Sequence, residues 1–326
     1  MCTSIIFSPN KHYFGRNFDY EISYGQEVAI TPRNFNLEFR KLKNIQTHYA
    51  IIGIADVADN YPLYFDAANE KGLGMAGLAY AGNAYYQEEI PGKDNVTSFE
   101  IIPWILGQAQ NIDEAKNLLK NANVVNISFT KNMPTSPLHW LLADKSGKSI
   151  VVEPDKDGLH IYDNPAGVLT NNPTFPKQLF NLNNYQEVSP SVHKNTLAPG
   201  LKLDNYSRAL ASHNLPGGMD SSSRFVRATF AKFHAPTNST TEEETVNNYF
   251  HILHAVEQPK GLDEVAPNSY EYTIYTDCAN LEDGLFYYTT YDNKQINQVN
   301  MNKENLDSSN LICYKMNDKI KFNKQN

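Results

Sequence analysis

The sequence has few cysteines, no long hydrophobic run and no excess of basic residues. Its three cysteines, Cys2, Cys278 and Cys313, are odd in number and far apart. This spacing argues against a disulfide framework and fits a reducing compartment, so we expect a cytoplasmic protein. No stretch approaches the ~20 apolar residues that cross a bilayer. The first residues lack the basic and apolar regions of a signal peptide, so we expect neither export nor membrane association.

The charge balance excludes nucleic acid as the main partner. There are 28 Lys and Arg against 36 Asp and Glu, a net charge of -8, whereas phosphate binding requires clustered basic residues. His251 and His254 lie three apart on a predicted helix without further ligands in register, so we expect no metal and no cofactor. The 20 Tyr and 16 Phe can supply a deep core and an apolar pocket.

The order of predicted elements indicates an α+β protein. Strand-like runs dominate residues 3–80, 138–153 and 270–291, and the predicted helices span about 99–108, 112–121, 222–233 and 242–257. Blocks of strands separated by pairs of helices favour layered packing over βαβ winding. Residues 188–218 are polar and rich in Pro, Asn and Ser. We interpret them as an excursion within a single domain of residues 1–326 that serves assembly, and not as a linker, because strands follow.

Cys2 is the first candidate for chemistry. If Met1 is removed, Cys2 carries a thiol and a free α-amine, whose pKa of about 7.7–8.0 lets it hold or pass a proton near neutral pH. A thiolate nucleophile with its own amine as base is a self-contained catalyst. The alternative is a buried strand cysteine without function.

Two opposite charges, Arg16 and Asp19, follow the next strand-like run. Arg16 can favour the thiolate, because a nearby cation stabilises the charged form. Asp19 can hold the α-amine by a charge-assisted hydrogen bond. From this stretch alone, a surface ion pair without a role is an equal alternative.

Side-chain amides end a later strand-like run at Thr170-Asn171-Asn172-Pro173. An amide is a suitable oxyanion donor, although Asn before Pro is also an ordinary turn. Arg224 and Arg227 lie three apart on a predicted helix, so one of them can point inward. The G-x-G-x-x-G pattern at 72–77 lies inside a strand-like run with no helix after it, so we reject a dinucleotide site.

Several stretches together resemble the choloylglycine hydrolase family of bile salt hydrolases and penicillin V acylases. They are Met1-Cys2-Thr3, Phe14-Gly15-Arg16-Asn17-Phe18-Asp19, Asn69-Glu70-Lys71-Gly72-Leu73-Gly74, Leu138-His139-Trp140, Leu169-Thr170-Asn171-Asn172-Pro173-Thr174-Phe175, Leu215-Pro216-Gly217-Gly218, Ser223-Arg224-Phe225-Val226-Arg227, Phe250-His251-Ile252-Leu253 and Tyr272-Thr273-Ile274-Tyr275. The resemblance covers nearly the whole chain in family order, and the chain closely resembles bile salt hydrolases of lactobacilli. It implies the N-terminal nucleophile hydrolase fold, a four-layer αββα sandwich, and a homotetramer.

The resemblance also implies roles for individual residues. Cys2 would be the nucleophile and its freed α-amine the base, and Arg16 and Asp19 would hold the thiol and the amine. Asn171 would supply an oxyanion donor, and Arg224, with Arg227 as its rival, would be the structural arginine. The steroid would lie against loop residues of an apolar cleft: Phe18, Tyr24, Ala58, Phe65, Phe129 and Met133.

One position departs from the family pattern. Ala79 stands where bile salt hydrolases normally carry Asn and many penicillin V acylases carry Tyr. The family uses the backbone N–H of this position as the second oxyanion donor, which alanine retains, but alanine loses the side-chain hydrogen bond. We therefore predict reduced or altered activity and not a dead site.

The resemblance implies a hydrolase of linear amide C–N bonds. The expected substrates are bile acids conjugated to glycine or taurine, such as glycocholate and taurocholate, cleaved through a thioester. The alternatives are penicillin V, N-acyl homoserine lactones or a steroid-binding protein without turnover.

Overall fold

Short apolar runs bounded by turn residues form most of the chain into strands. The computed structural model describes residues 1–192 and 194–326. Its strands are β1 (Cys2–Phe7), β2 (Tyr13–Tyr20), β3 (Glu27–Thr31), β4 (Ile51–Ala58), β5 (Tyr61–Asn69), β6 (Leu73–Ala79), β7 (Asp94–Thr97), β8 (Ala122–Val125), β9 (Leu138–Asp144), β10 (Ser149–Asp155), β11 (Gly158–Asp163), β12 (Val168–Leu169), β13 (Glu264–Ala266), β14 (Ser269–Tyr270), β15 (Tyr272–Asn280), β16 (Leu285–Thr290), β17 (Asn297–Asn300) and β18 (Ile312–Lys315). Its α-helices are α1 (Ile101–Leu106), α2 (Ile112–Leu119), α3 (Phe175–Asn181), α4 (Ser221–His234) and α5 (Glu242–His254).

The strands form two large antiparallel sheets. One has the order β12-β1-β2-β15-β16-β17, and the other has the order β11-β10-β9-β6-β5-β4-β3-β18. The sheets face each other, with β1 and β2 in contact with β5 and β6. Helices α4 and α5 cover the first sheet, and α1 and α2 cover the second. The predicted α+β class and the four-layer αββα arrangement are therefore confirmed.

Local signals placed the helices well. The side chain of Asn111 accepts a hydrogen bond from the N–H of Glu114 at 3.0 Å, and Thr241 accepts one from the N–H of Glu244 at 3.2 Å; both are N-terminal capping contacts. The predicted helix over 99–108 is shorter in the structure, because Thr97–Glu100 form a turn closed by the Glu100 carboxylate. None of the described helices is long and apolar enough to cross a bilayer.

The predicted excursion over 188–218 leaves the layers. A short 3-10 turn at Leu210–Ser212 is the regular element that it contains, and residue 193 lies outside the described part of the chain. The large apolar side chains of Leu197, Leu201 and Tyr206 are 87%, 58% and 80% exposed. Exposed apolar side chains concentrated in one segment are typical of a surface that contacts another protein.

Because of Lys232, the stability of the fold should change with pH in the alkaline range. Its ammonium lies within the layers on α4, where it donates to the carbonyl of Ala166 at 2.6 Å, and burial lowers its pKa to about 8. The unfolded chain, with an ordinary lysine pKa of about 10.4, binds more protons between these values. The free energy of unfolding should therefore rise as pH increases from about 8 to about 10.

Replacing Lys232 with Met removes this titration while keeping most of the side-chain volume. We expect Lys232→Met to raise the free energy of unfolding at pH 7 by about 1–2 kcal/mol, which corresponds to a few degrees in the thermal midpoint. The difference between the two proteins should become smaller above pH 9. Thermal scans of both proteins across this pH range measure the effect. A gain that is independent of pH would contradict the account.

Candidate active site

Cys2 opens a central strand of the first sheet. It is 4% exposed and lies opposite Phe18 in the β1–β2 register. Its backbone nitrogen donates to Oδ1 of Asn171 at 2.9 Å. The start of the chain, β2 and the turn that follows β12 therefore lie next to one another.

Arg16 is fully buried beneath this point. Its Nη1 donates to the carbonyls of Gly77 and, at 3.3 Å, Phe65. Nη2 has no hydrogen-bond partner among the described residues. Burial disfavours the charge, but the nearby Cys2 thiol and the groups of Tyr275, Asp66 and Asp277 outweigh it and raise the pKa of Arg16. The alternative of a surface ion pair with Asp19 is wrong, because both side chains are inside the protein and bond to other groups.

Asp19 is also fully buried. Its Oδ1 accepts the hydroxyl of Thr273 at 2.6 Å, and its Oδ2 lies 4.0 Å from Nη1 of Arg224. Burial raises the pKa of this carboxyl, although Arg224, the N-terminus and Thr273 oppose the rise. Oδ2 has no hydrogen-bond partner within the described chain, so one acceptor at the site remains free.

Met1 extends β1 by one residue. Its ammonium donates to the carbonyl of Asp19 at 2.8 Å and to the carboxylate of Glu271, and its own carbonyl accepts the N–H of Asp19. In this form the nitrogen of Cys2 is an amide. Removal of Met1 would convert it to a free α-amine.

Asn171 and Ala79 converge on the same side of β6. Nδ2 of Asn171 donates to the carbonyl of Ala79 at 2.7 Å. Tyr80 N–H pairs with the carbonyl of Pro137 on the strand opposite, which puts Ala79 at a non-hydrogen-bonded position of the antiparallel ladder. The N–H and C=O of such a residue both point away from the paired strand. The Ala79 N–H is therefore directed to the side on which Asn171 lies.

The structure separates the two candidate arginines. Arg224 is fully buried and donates to the carbonyl of Cys2 at 2.6 Å, to Thr3, and to Oδ1 of Asn171 at 2.7 Å. Arg227 turns outward and bonds to the carbonyls of Pro216 and Gly218. Arg224 is therefore the arginine that faces the site.

The predicted apolar wall falls into two groups. Phe18 and Phe65 stack with ring centroids 4.9 Å apart, and Tyr24 lies 5.7 Å from Phe65. Phe129 packs instead on Tyr61 and Phe99, at 6.0 and 5.3 Å. The first group adjoins Arg16, whose guanidinium carbon is 5.0 Å from the Phe18 ring centroid.

Ala58 and Met133 lie beside the second group. Ala58 ends β4 opposite Tyr61, and Met133 N–H closes a turn on Thr130 after Phe129. A cavity of about 620 Å³ on this side is lined by Tyr61, Phe99 and Phe129 together with Arg40 and Glu100. The six residues therefore do not form one continuous cluster in the structure.

A possible cation site lies away from Cys2. Oxygen and nitrogen atoms of Asp155, Asp157 and His160 lie within 4.8 Å of one another on the β10–β11 hairpin. His160 already bonds to Asp157 at 2.8 Å. Sequence reasoning did not find this group, because a hairpin, and not a sequence motif, brings its members together.

Sequence reasoning also missed buried polar residues behind the site. Thr273 and Glu271 hold Asp19 and the Met1 ammonium, and His139 bonds to the carbonyl of Thr170 at 3.0 Å. His139 stands in a recognised stretch, Leu138-His139-Trp140, but a lone histidine in an apolar strand carries no sign of its partner. Gly74 lies within β6, and a Cβ there would clash with the Phe14 ring, so this glycine allows close packing inside a strand.

The layered fold is that of the N-terminal nucleophile hydrolases. The profile of the linear amide C–N hydrolases, choloylglycine hydrolase family, matches residues 2–314. The chain belongs to this family and is a linear amide C–N hydrolase. The predicted family and enzyme class are thus confirmed.

Sequence and structural relatives agree with this assignment. The chain is 52% identical over 322 residues to a bile salt hydrolase/transferase of Lactiplantibacillus plantarum, covering 99% of each chain. It is 38% identical over 335 residues to a bile salt hydrolase/transferase of Clostridium perfringens, covering 100% of each. A crystal structure of a conjugated bile acid hydrolase variant from Clostridium perfringens superposes with a TM-score of 0.92 at 37% identity, covering 100% of each chain. Penicillin V acylase from Agrobacterium tumefaciens shares the fold, with a TM-score of 0.77 at 20% identity over 96% of this chain and 91% of that one.

Proposed function

We propose that the protein is a bile salt hydrolase that cleaves the amide bond between a bile acid and glycine or taurine. The observation that carries the proposal is the buried arrangement of Cys2, Arg16, Asp19, Asn171 and Arg224 around the start of β1. The full-length identity to bile salt hydrolases supports the substrate class. The cytoplasm is the proposed location.

The reaction begins once Met1 has been removed. The Cys2 sulfur, with Arg16 nearby, attacks the amide carbonyl carbon as its proton passes to the freed α-amine, which Asp19 holds. The oxyanion accepts hydrogen bonds from the Ala79 N–H and from the second N–H of the Asn171 side-chain amide. The C–N bond breaks as the α-amine passes the thiol proton to the leaving glycine or taurine, and a thioester remains. Water then hydrolyses the thioester, which releases the bile acid and restores the thiol.

The apolar body of the substrate lies against rings beside the nucleophile. Phe18 and Phe65 present stacked faces next to Arg16, and Tyr24 is 41% exposed above them. Such surfaces suit a steroid or a phenoxyacetyl group. Ala58, Phe129 and Met133 line a second wall that the longer steroid reaches.

Amine release by the Met1-processed protein tests the proposal. Glycocholate, taurocholate and penicillin V are offered side by side, and N-terminal sequencing establishes that Cys2 comes first. We expect fast release from a bile salt. Release from penicillin V alone would indicate a penicillin V acylase. Bile salt binding without amine release would indicate a binding protein.

A substitution at Ala79 tests the effect of this position's departure from the family pattern. Because alanine keeps the backbone donor and lacks the side-chain amide, Ala79→Asn should raise kcat/KM for glycocholate by about 3- to 30-fold, as one added hydrogen bond of about 1–2 kcal/mol would. Steady-state glycine release measures it, with Ala81→Asn on the following turn as the control. Equal or lower kcat/KM in Ala79→Asn would contradict the interpretation.

The protein assembles as a homotetramer in this proposal, with residues 188–218 as the contact segment. The exposed side chains of Leu197, Leu201 and Tyr206 supply apolar surface that a partner subunit would cover. The native mass of the processed protein in solution tests this assembly.

A further inference from the structure

A fully buried histidine and glutamate lie behind the two proposed oxyanion donors. His139 on β9 and Glu153 on β10 are both 0% exposed. The Nδ1 of His139 is 3.2 Å from Oε1 of Glu153, and its Nε2 is 3.0 Å from the carbonyl oxygen of Thr170. Neither residue contacts Cys2 by a hydrogen bond, so the mechanism above leaves both without a role.

The pair holds both ends of the turn that carries Asn171. His139 binds the carbonyl of Thr170, the residue before Asn171. Glu153 Oε1 accepts the N–H of Phe175, the first residue of α3, at 2.9 Å. The four residues between these anchors include Asn171, whose Nδ2 is 2.7 Å from the carbonyl of Ala79.

The same pair reaches the second donor through Tyr80. This residue follows Ala79 directly, and its ring stacks on His139 with centroids 4.4 Å apart and an interplanar angle of 7°. Its own N–H is fixed on Pro137 at 2.8 Å. The orientation of one imidazole therefore sets the position of both residues that face the oxyanion.

The acceptors around His139 define its protonation. Nε2 faces a carbonyl oxygen, which can only accept, so Nε2 carries a hydrogen. Nδ1 faces a carboxylate oxygen that already accepts an amide N–H, and two lone pairs would repel there. A proton held between Nδ1 and Oε1 removes the repulsion, and when Nδ1 carries it the pair is an imidazolium and a carboxylate.

We propose that His139 and Glu153 form a buried imidazolium–carboxylate pair that positions Asn171 and Ala79 for the oxyanion of the amide hydrolysis. The expected effect on kcat rests on the proposed function. His139 acts through the backbone of Thr170 and the ring of Tyr80, so both members are positioning residues. The ionisable groups that face the pair from neighbouring strands are Tyr80, Asp155, His160 and Tyr162.

Two variants separate positioning from a merely structural role. In processed enzyme whose sites are counted by Cys2 alkylation, His139→Phe should lower kcat about 10- to 100-fold with KM for glycocholate changed less than about 3-fold. Glu153→Gln keeps the Oε1 acceptor of the Phe175 N–H and removes the carboxylate charge beside His139, so it should lower kcat less than His139→Phe does.

His48→Phe is the matched control. His48 is 6% exposed and bonds to the carbonyls of Tyr49 and Phe35 at 2.7 and 2.9 Å, so its loss should lower stability and leave kcat per site unchanged. An unchanged kcat per site in His139→Phe, or an equal loss of kcat per site in His48→Phe, would overturn the proposal.

A spectroscopic measurement tests the pair without any substrate. Histidine ¹⁵N spectra of the wild type, assigned with His139→Phe, should show both ring nitrogens of His139 protonated at neutral pH, and one of them deprotonated in Glu153→Gln. A singly protonated His139 in the wild type would refute the ion pair even if the enzyme hydrolyses bile salts. A doubly protonated His139 in a protein that releases no amine would retain the pair and refute only the substrate.

Discussion

Cys2→Ala is expected to abolish hydrolysis of glycocholate, with kcat reduced by about 10⁵-fold or more, as removal of a nucleophile does in other covalent hydrolases. In the proposed mechanism the Cys2 sulfur forms the bond to the substrate carbonyl, and the described site contains no other thiol. Alanine at a 4% exposed position removes one sulfur atom, so the fold should remain. Glycine release and the thermal midpoint are measured on the same samples.

The other cysteines provide the controls. Burial raises the pKa of Cys278 well above its usual value and that of Cys313 to about 11, so both are protonated and unreactive at neutral pH. Cys313→Ala, on the edge strand β18, should retain the activity of the wild type. Glycine release by folded Cys2→Ala within about 100-fold of the wild type would contradict Cys2 as nucleophile.

Asn171→Asp is expected to lower kcat by about 10²- to 10³-fold with little change in KM, because one oxyanion donor is lost. The substitution keeps Oδ1, which accepts hydrogen bonds from the nitrogen of Cys2 at 2.9 Å and from Nη2 of Arg224 at 2.7 Å. It replaces the donating Nδ2 by an acceptor. The measured loss therefore reports the missing donor together with the negative charge placed beside the Ala79 carbonyl.

Asn172→Asp is the matched control for this variant. Asn172 is the next residue and donates to the carbonyl of Ala81 at 2.8 Å, away from Cys2. Its activity should stay within about 3-fold of the wild type, as is usual for a surface polar contact. Equal losses in both variants would assign the effect to the turn, and a loss below about 10-fold in Asn171→Asp would exclude the amide as an oxyanion donor.

The layers of the fold were predictable because periodicity and capping are local properties. The face formed by Val246, Tyr249, Phe250 and Leu253 is buried as its spacing predicts. Helix ends depended on contacts that a local pattern does not contain, such as the turn closed by Glu100 ahead of α1. The pairing order of the two sheets required the family resemblance, since alternation does not identify a strand's neighbour.

The site was predictable where a residue type and its chain position carried the information. Cys2, Arg16, Asp19, Asn171 and Arg224 do meet, although 222 positions separate Cys2 from Arg224. The choice between Arg224 and Arg227 required the structure, because both lie on one helix and only its orientation decides which one is buried. The residues of the expected cleft were predicted on loops, but Phe18, Ala58 and Phe65 lie on β2, β4 and β5, and the rings form two groups.

Buried polar partners were the least predictable part. His139 and Glu153 come from adjacent strands, and the β9–β10 pairing brings them together behind Asn171. Glu271 faces Met1 across 270 positions of the chain. Such pairs follow from tertiary packing, which a single sequence does not specify.

Trapping the acyl-enzyme tests the central claim most directly. Processed protein is mixed with glycocholate, quenched in acid within one turnover, digested and analysed by mass spectrometry. The account predicts a cholyl thioester on the N-terminal peptide, attached to Cys2 with a free α-amine, and none on Asn171→Asp quenched at the same time. Turnover without any adduct on that peptide, or a cholyl group on another residue, would contradict the account.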